Sequence, residues 1–294
     1  MAAEPIWLAV ETGGTKLLAR LVQGERLVGE LRRETSTPQA AIADLIAFVG
    51  GVRVAGAGIA AFGPVVVDPA AANYGEVLAT PKPGWRGANL RAALAGALGV
   101  PVAVDTDVNC AARAEAAIGA GRGCAGVAYV TVGTGIGAGL AMADGQGGWR
   151  TLTGAMHPEM GHVPVRRMEG DDLASRCPFH ADCVEGLAAG PAVRARIGDG
   201  DLAAHPAAFA AVADYLGQFF ATLVLAWSPH RIVAGGGVMT VPGLRAAAGG
   251  RMAAALGGYG VGAVALTPDF VVAPVLEHAG LEGALLLARG ASGA

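Results

Sequence analysis

Two glycine–threonine loops, each set between two apolar runs of strand type, constrain this chain most. The first, Glu11-Thr12-Gly13-Gly14-Thr15-Lys16, lies between Ile6–Val10 and Leu17–Val22. The second, Thr131-Val132-Gly133-Thr134-Gly135-Ile136-Gly137-Ala138-Gly139, joins Val127–Val132 to Ala138–Ala143. A strand–Gly turn–strand unit that occurs twice predicts two similar α/β domains with a cleft between them. Adjacent glycines let backbone N–H groups face a phosphate without a Cβ in the way. Thr15 adds a hydroxyl and Lys16 a positive charge. The first loop is not a P-loop, because the Gly-x4-Gly-Lys spacing is missing and no helix follows. The bland alternative for either loop is a hairpin turn. Two such loops, one per half, suit a polyphosphate held from both sides. A third cluster, Gly235-Gly236-Gly237, follows the strand Arg231–Ala234 and precedes a helix. There the backbone either receives a flat base or ribose, or simply connects strand to helix.

The rest of the chain fits the same plan. Leu27–Leu31 follows Gly24 as a third strand of an opening meander. Thr37-Pro38 predicts a helix start, Thr37 as cap and Pro38 at the first helical position. Val54–Ala60 reads as a buried strand, Asn89–Leu98 as a helix stopped by Gly99, and Pro101–Val104 as a strand aimed at Asp105. Val108–Ile118 is helical. Residues 144–190 read as a loop-rich region too long to be an idle connection. Pro206–Trp227 is a long helix, followed by the strand Arg231–Ala234, the helix Pro242–Leu256, the strand Phe270–Ala273 and the helix His278–Arg289.

Composition narrows the function. With 294 residues, 53% of them apolar and 15% charged, the chain can bury two cores and has no signature of disorder. Its 47 glycines fall in short clusters, which indicates tight turns and close approaches. A net charge of −3 with scattered Lys and Arg gives nucleic-acid binding no electrostatic footing. The segment Met1–Trp7 lacks the basic end and apolar core of a signal peptide. The apolar stretch Tyr215–Trp227 is about two-thirds of a membrane span, so it reads as a buried helix. A cytoplasmic, reducing setting follows for the four cysteines, of which Cys110 and Cys124 read as inert apolar residues.

Asp105-Thr106-Asp107-Val108-Asn109 ends a strand and opens a helix. Carboxylates at a helix N-terminus are stabilised by the dipole, so capping explains one of them. The second is left over at the boundary between the halves. Phosphoryl transfer to an alcohol needs a carboxylate to take the hydroxyl proton, and Asp107 is assigned that role. Asp105 orients the loop and Asn109 supports it.

Cys177-Pro178-Phe179-His180-Ala181-Asp182-Cys183 places Cys, His and Cys at three-residue intervals, with His162 upstream and His157 as its weaker substitute. Two thiolates and two imidazoles make a tetrahedral zinc set with no open position, hence a structural site. The competing reading is a Cys177–Cys183 disulfide, which a reducing setting disfavours. Glu159 and Glu185 flank these residues as acceptors for sugar hydroxyls, or as solvated loop acids.

Together these segments resemble the repressor–open-reading-frame–kinase (ROK) family of sugar kinases. The resemblance runs from Glu11 to about Gly283 and includes Gly63-Pro64, Glu159–His162 and Cys177–Glu185. Tyr74-Gly75, Thr80-Pro81-Lys82-Pro83-Gly84-Trp85, His157–His162 and the Cys-x2-His-x2-Cys spacing resemble the bacterial zinc-containing fructokinase branch. The resemblance implies a two-domain actin-like ATPase fold, of the ribonuclease H-like kind shared with heat-shock ATPases, with ATP and sugar in the interdomain cleft. It implies a small domain over residues 1–106 and a larger one over 107–277, with a zinc loop at 157–190 and a last helix (278–291) packed back on the first domain.

By the same resemblance Asp107 is the general base. Gly63, Asp107, Glu159, His162 and Glu185 contact sugar. Gly13, Gly14, Thr15, Lys16, Thr131, Gly133, Thr134 and Gly135 meet ATP phosphates, and Gly235, Gly236 and Gly237 the adenosine side. His162, Cys177, His180 and Cys183 hold zinc, Mg²⁺ accompanies ATP, and a homodimer is expected, with no nucleic-acid or membrane partner. Glu11 stands where most of the family has Asp, so its carboxylate is carried about 1.5 Å further. Some family members are repressors with an N-terminal DNA-binding extension; here the first strand starts within a few residues, so no helix-turn-helix is expected. The reaction implied is ATP-dependent phosphorylation of fructose to fructose 6-phosphate. Glucose, mannose or an amino sugar is the alternative acceptor, and a non-catalytic sugar sensor the more remote one.

Overall fold

The computed structural model describes residues 4–80, 82–259, 265 and 267–291. Met1–Ala3 of the N-terminal reading and Pro81 of the Thr80–Trp85 motif lie outside them.

The described residues divide into two compact units. One holds the chain up to Ala114, Thr151–Pro158 and the residues from Glu277 onward; the other holds Glu115–Arg150 and Glu159–Leu276. In the first, β1 (Ile6–Thr12), β2 (Lys16–Gln23) and β3 (Arg26–Glu34) form an antiparallel meander. After α1 (Pro38–Val49), β4 (Val54–Ala61) pairs parallel to β1; after α2 (Leu90–Leu98), β5 (Val102–Thr106) pairs parallel to β4. The sheet order is β3-β2-β1-β4-β5.

After α3 (Asp107–Ala117), whose residues up to Ala114 belong to the first unit, the second unit holds the antiparallel pair β6 (Gly126–Val132) and β7 (Ile136–Ala143), followed by β8 (Trp149–Thr151). Two short helices, α4 (Val184–Ala188) and α5 (Gly190–Ile197), precede α6 (Pro206–Trp227). Then come β9 (Arg231–Gly235), parallel to β6, α7 (Leu244–Leu256), β10 (Val271–Val272), parallel to β9, and α8 (Ala279–Ala291), which belongs to the first unit. The order β10-β9-β6-β7-β8 repeats that of the first sheet strand for strand.

Local chemistry explains the element ends. Thr37 caps α1 by accepting from Ala40 N–H at 3.3 Å, and Asn89 caps α2 by accepting from Ala92 N–H at 2.8 Å. Gly50 and Gly99 close these helices in the left-handed region, where a Cβ would be strained. The helix α6 is long and apolar enough to cross a membrane, but Tyr215, Phe219 and Phe220 are fully buried in the second core. Burying each phenylalanine contributes about 1.5–3 kcal/mol, which accounts for the apolar composition.

The boundary differs from the one expected at 106/107. The first part of α3 groups with the first unit because α8 presses onto it: a Cβ on Gly283 would lie 1.9 Å from the Cys110 carbonyl oxygen. A Cβ on Gly58 of β4 would likewise lie 2.0 Å from the Ala284 oxygen, so α8 also lies directly on β4. The region 144–190 holds β8, α4 and a 3₁₀ turn at Met160–His162 rather than loop alone.

Candidate active site

The sheet order brings the end of β1 and the end of β5 to the same edge of the first unit, either side of β4. At the end of β5, Asp105 is buried and fully used. Its Oδ1 accepts from Asn109 Nδ2 at 2.8 Å and from Thr106 N–H at 2.7 Å, and its Oδ2 accepts from Thr151 Oγ at 2.6 Å. Thr106 caps α3, its Oγ accepting from Asn109 N–H at 3.1 Å. Asp107 follows as the first residue of α3, half-buried, with Oδ1 accepting from Val108 N–H at 2.8 Å.

The first glycine loop turns its carbonyls toward the chain. Gly13 O accepts from Thr35 Oγ at 2.9 Å, Thr15 O from Thr35 N–H at 3.0 Å, and Gly14 O from the Lys82 ammonium. A Cβ on Gly14 would meet open space among the described residues. Lys16 is exposed at the start of β2. Glu11, at the start of the loop, carries a buried Oε2 without a hydrogen-bond partner among the described residues. Burial raises its pKa above the ordinary carboxylate value, opposed by the charge of His278, the Leu281 N–H and Arg20.

Gly63-Pro64 lies beyond β4, and the next amide, Val65 N–H, donates to His157 Nε2 at 3.1 Å. A nitrogen that accepts carries no proton, so His157 is a neutral imidazole clamping this turn. It does not join the Cys/His cluster.

In the second unit, Val132 pairs with Ile136 around the second loop, and Thr134 is exposed at its tip. Gly133 O accepts from Gly190 N–H, the first residue of α5, at 2.7 Å. Ile136 N–H donates to Glu185 Oε2 at 2.9 Å. The third cluster adjoins this loop. Gly235 pairs with Thr131, and a Cβ on Gly236 (φ +91°) would fall 2.5 Å from the Val132 carbonyl oxygen. No residue with a side chain fits there.

His162, Cys177, His180 and Cys183 converge, with ligand atoms all within 4.8 Å of one another. Cys177 Sγ is 3.7 Å from His162 Nδ1 and 3.6 Å from His180 Nδ1. All four cysteines of the chain are free thiols, so Cys177 and Cys183 are not a disulfide. Burial, with the adjacent Cys177, pushes the Cys183 thiol up to about 11, although the Gly186 N–H opposes this. Cys183 also caps α4, its Sγ accepting from Gly186 N–H at 3.3 Å. Glu185 lies in the first turn of α4, so the Cys/His cluster and the second loop are joined through one short helix. Glu159 precedes the 3₁₀ turn that ends at His162, and His162 N–H donates to the Glu159 carbonyl at 3.0 Å.

The model of the ROK family matches residues 7–291. The chain belongs to the ROK family. It is 38% identical to a fructokinase of Zymomonas mobilis, over 97% of each chain. Its fold matches a ROK hexokinase of Thermus thermophilus with a TM-score of 0.75 at 28% identity, covering 97% of this chain and 98% of that one. It also matches a ROK family glucokinase of Streptomyces griseus, solved with glucose and AMPPNP, with a TM-score of 0.73 at 27% identity over 97% and 99%. The two-domain α/β fold of the ROK sugar kinases is thus the fold of this chain.

Several residues of this ROK chain escape sequence reasoning. Thr151 holds Asp105 from 46 positions away. Glu115, fully buried, accepts from Ala120 N–H at 2.6 Å and from Val275 and Leu276 N–H at 3.2 and 3.1 Å. Arg196 makes a bidentate pair with Asp171 at 2.7 and 2.8 Å, and Arg167 ties Asp182, Leu173 and Ala181 together. The Tyr215 hydroxyl also donates to Asp171. Only Arg and Asp side chains in a polar loop signalled these pairs, and that signal does not name partners.

Proposed function

We propose that this ROK chain is an ATP-dependent fructokinase, converting D-fructose and ATP to D-fructose 6-phosphate and ADP. One observation carries the reading: Asp105 is buried and committed to three donors, while Asp107, two residues on, stands half-buried at a helix N-terminus. A carboxylate that must take a proton needs access and a fixed position, and Asp107 has both. The acceptor is fructose because relatives named fructokinase align over nearly the whole chain, at 38% and 34% identity.

In this mechanism Asp107 takes the proton of the primary hydroxyl as it attacks the terminal phosphorus of ATP. Glu159, His162, Glu185 and Gly63 orient the sugar. Backbone N–H groups of Gly14 and Thr15, with Lys16, and of Thr134 and Gly135, with Thr131, face the phosphates, while the Gly13 and Gly133 N–H groups close the two turns by donating to Lys16 O at 2.7 Å and Gly135 O at 2.9 Å; Gly235–Gly237 face the adenosine. Positioning and charge stabilisation supply most of the rate enhancement.

The unpartnered Glu11 oxygen fits the hydrated Mg²⁺ that accompanies ATP, since a nearby cation favours the ionised carboxylate. Mg²⁺ would supply charge neutralisation on the transferring group. The Cys/His cluster fits zinc. Tetrahedral bonds of about 2.3 Å to sulfur and 2.0–2.1 Å to nitrogen put sulfur and nitrogen about 3.6 Å apart. The Cys177–His distances of 3.7 and 3.6 Å agree with that. Four protein ligands leave no position for a reactive water, so the zinc is structural. Free thiols suit a cytoplasmic setting, and a homodimer is the assembly proposed.

The test is ADP release from ATP over a panel of fructose, glucose, mannose and an amino sugar. Fructose should give the highest kcat/KM, with no release when sugar is omitted. Glucose or mannose as the best substrate would move the assignment within the family. No sugar-dependent release at all would overturn the kinase reading.

A further inference from the structure

The Thr80–Trp85 motif has no role in the reaction as described, yet it is firmly anchored. Trp85 is 1% exposed, its indole N–H donates to Ser36 O at 2.8 Å, and its ring meets Phe62 edge-on at 4.9 Å between centroids. Lys82 N–H donates to Thr80 Oγ at 3.3 Å, and Trp85 N–H donates back to Lys82 O at 3.3 Å. From this turn the Lys82 side chain reaches the first glycine loop and donates to the Gly14 carbonyl. Its ammonium stands 5.8 Å from the Phe62 ring centroid and 6.0 Å from that of Trp85, within the range of cation–π attraction.

Among the described residues no carboxylate forms an ion pair with Lys82. Burial alone lowers its pKa, with no anion opposing that shift. A partly desolvated cation balanced only by a carbonyl and two ring faces gains most from an anion. The placement also has a local logic. An exposed carbonyl beside a phosphate-binding turn repels the ligand. Lys82 covers that carbonyl and makes the local charge positive, with further N–H donors on its ammonium.

We propose that Lys82 is a second cation of the phosphate site, contacting the terminal phosphate of the nucleoside triphosphate at the first glycine loop. This rests on the reading of that loop as the nucleotide phosphate site. It also gives the anchored Trp85 turn a purpose: it delivers a charge to a loop 68 positions away in sequence.

The test compares the full-length chain with Lys82→Gln and Lys82→Arg. Gln keeps a donor for Gly14 and removes the charge. MgATP and AMP binding are measured by calorimetry, and ATP and fructose KM by steady-state kinetics. Lys82→Gln should weaken MgATP binding by about tenfold or more, the scale of one charge-assisted hydrogen bond. AMP affinity and fructose KM should stay within about twofold, and Lys82→Arg should restore most of the MgATP affinity. Unchanged MgATP affinity in Lys82→Gln, or equal losses for MgATP and AMP, would overturn the proposal. Should Lys82→Gln not fold, Lys82→Met and the salt dependence of MgATP binding in Lys82→Arg read the same charge effect. A wild-type chain that binds MgATP but phosphorylates no sugar would sink the fructokinase reading while leaving the Lys82 comparison readable.

Discussion

The two glycine loops sit at equivalent places in two sheets of identical strand order, yet they are held in different ways. In the first, between β1 and β2, the Thr35 and Lys82 side chains cap the carbonyls of Gly13 and Gly14, and the Thr35 backbone N–H caps that of Thr15. In the second, between β6 and β7, Glu185 of α4 and the start of α5 grip the loop, and Cys183 ties α4 to the Cys/His cluster. Equivalent hairpins thus acquire their rigidity from unequal sources. The first depends on individual hydrogen bonds. The second depends on a Cys/His cluster that could hold a metal ion, set in a region poor in regular structure.

That difference can be broken from either side. The larger effect belongs to the second loop. Chelation of the ion, or Cys183→Ser, removes a site whose binding energy is on the order of 10 kcal/mol in small structural zinc domains. It should lower Tm by at least about 10 °C, at about 2–4 °C per kcal/mol for a chain of this size. Sugar KM should rise with it, because His162 and Glu185 share the braced segment. A chelated protein with unchanged Tm and KM would dissociate the cluster from the loop. The smaller effect belongs to the first loop. Thr35→Val removes one hydrogen bond to Gly13 O, worth about 1 kcal/mol, so Tm should fall by about 2–4 °C in a thermal melt. A loss as large as that of Cys183→Ser would erase the distinction between the loops.

The parts of this organisation written in local sequence were legible there. Both hairpins, the Thr37 cap, the Gly99 stop and α6 with its bounds follow from periodicity and turn chemistry over a few residues. The four Cys/His residues were legible because their spacing is a ligand pattern. The short helices α4 and α5 were not: α4 is capped by a cysteine, and α5 has no side-chain cap and only Pro191 to mark its start. The braces were hidden for a different reason. Thr151 on Asp105, Lys82 on Gly14, His157 on Val65 and Glu115 on Val275 each join residues 46 to 160 positions apart, and one residue among many of its type has no local mark. Residue type and spacing mark the candidate groups in the sequence, while the contacts that hold them appear only in the folded chain.

Phosphoryl transfer with Asp107 as general base is tested most directly by the turnover of Asp107→Asn, measured by ADP release at saturating fructose and ATP alongside fructose binding by calorimetry. The substitution keeps the size of the side chain and an oxygen to accept from Val108 N–H, and removes its basicity. Turnover should fall at least about 10²-fold with fructose affinity retained. Near-normal turnover would remove Asp107 from the mechanism.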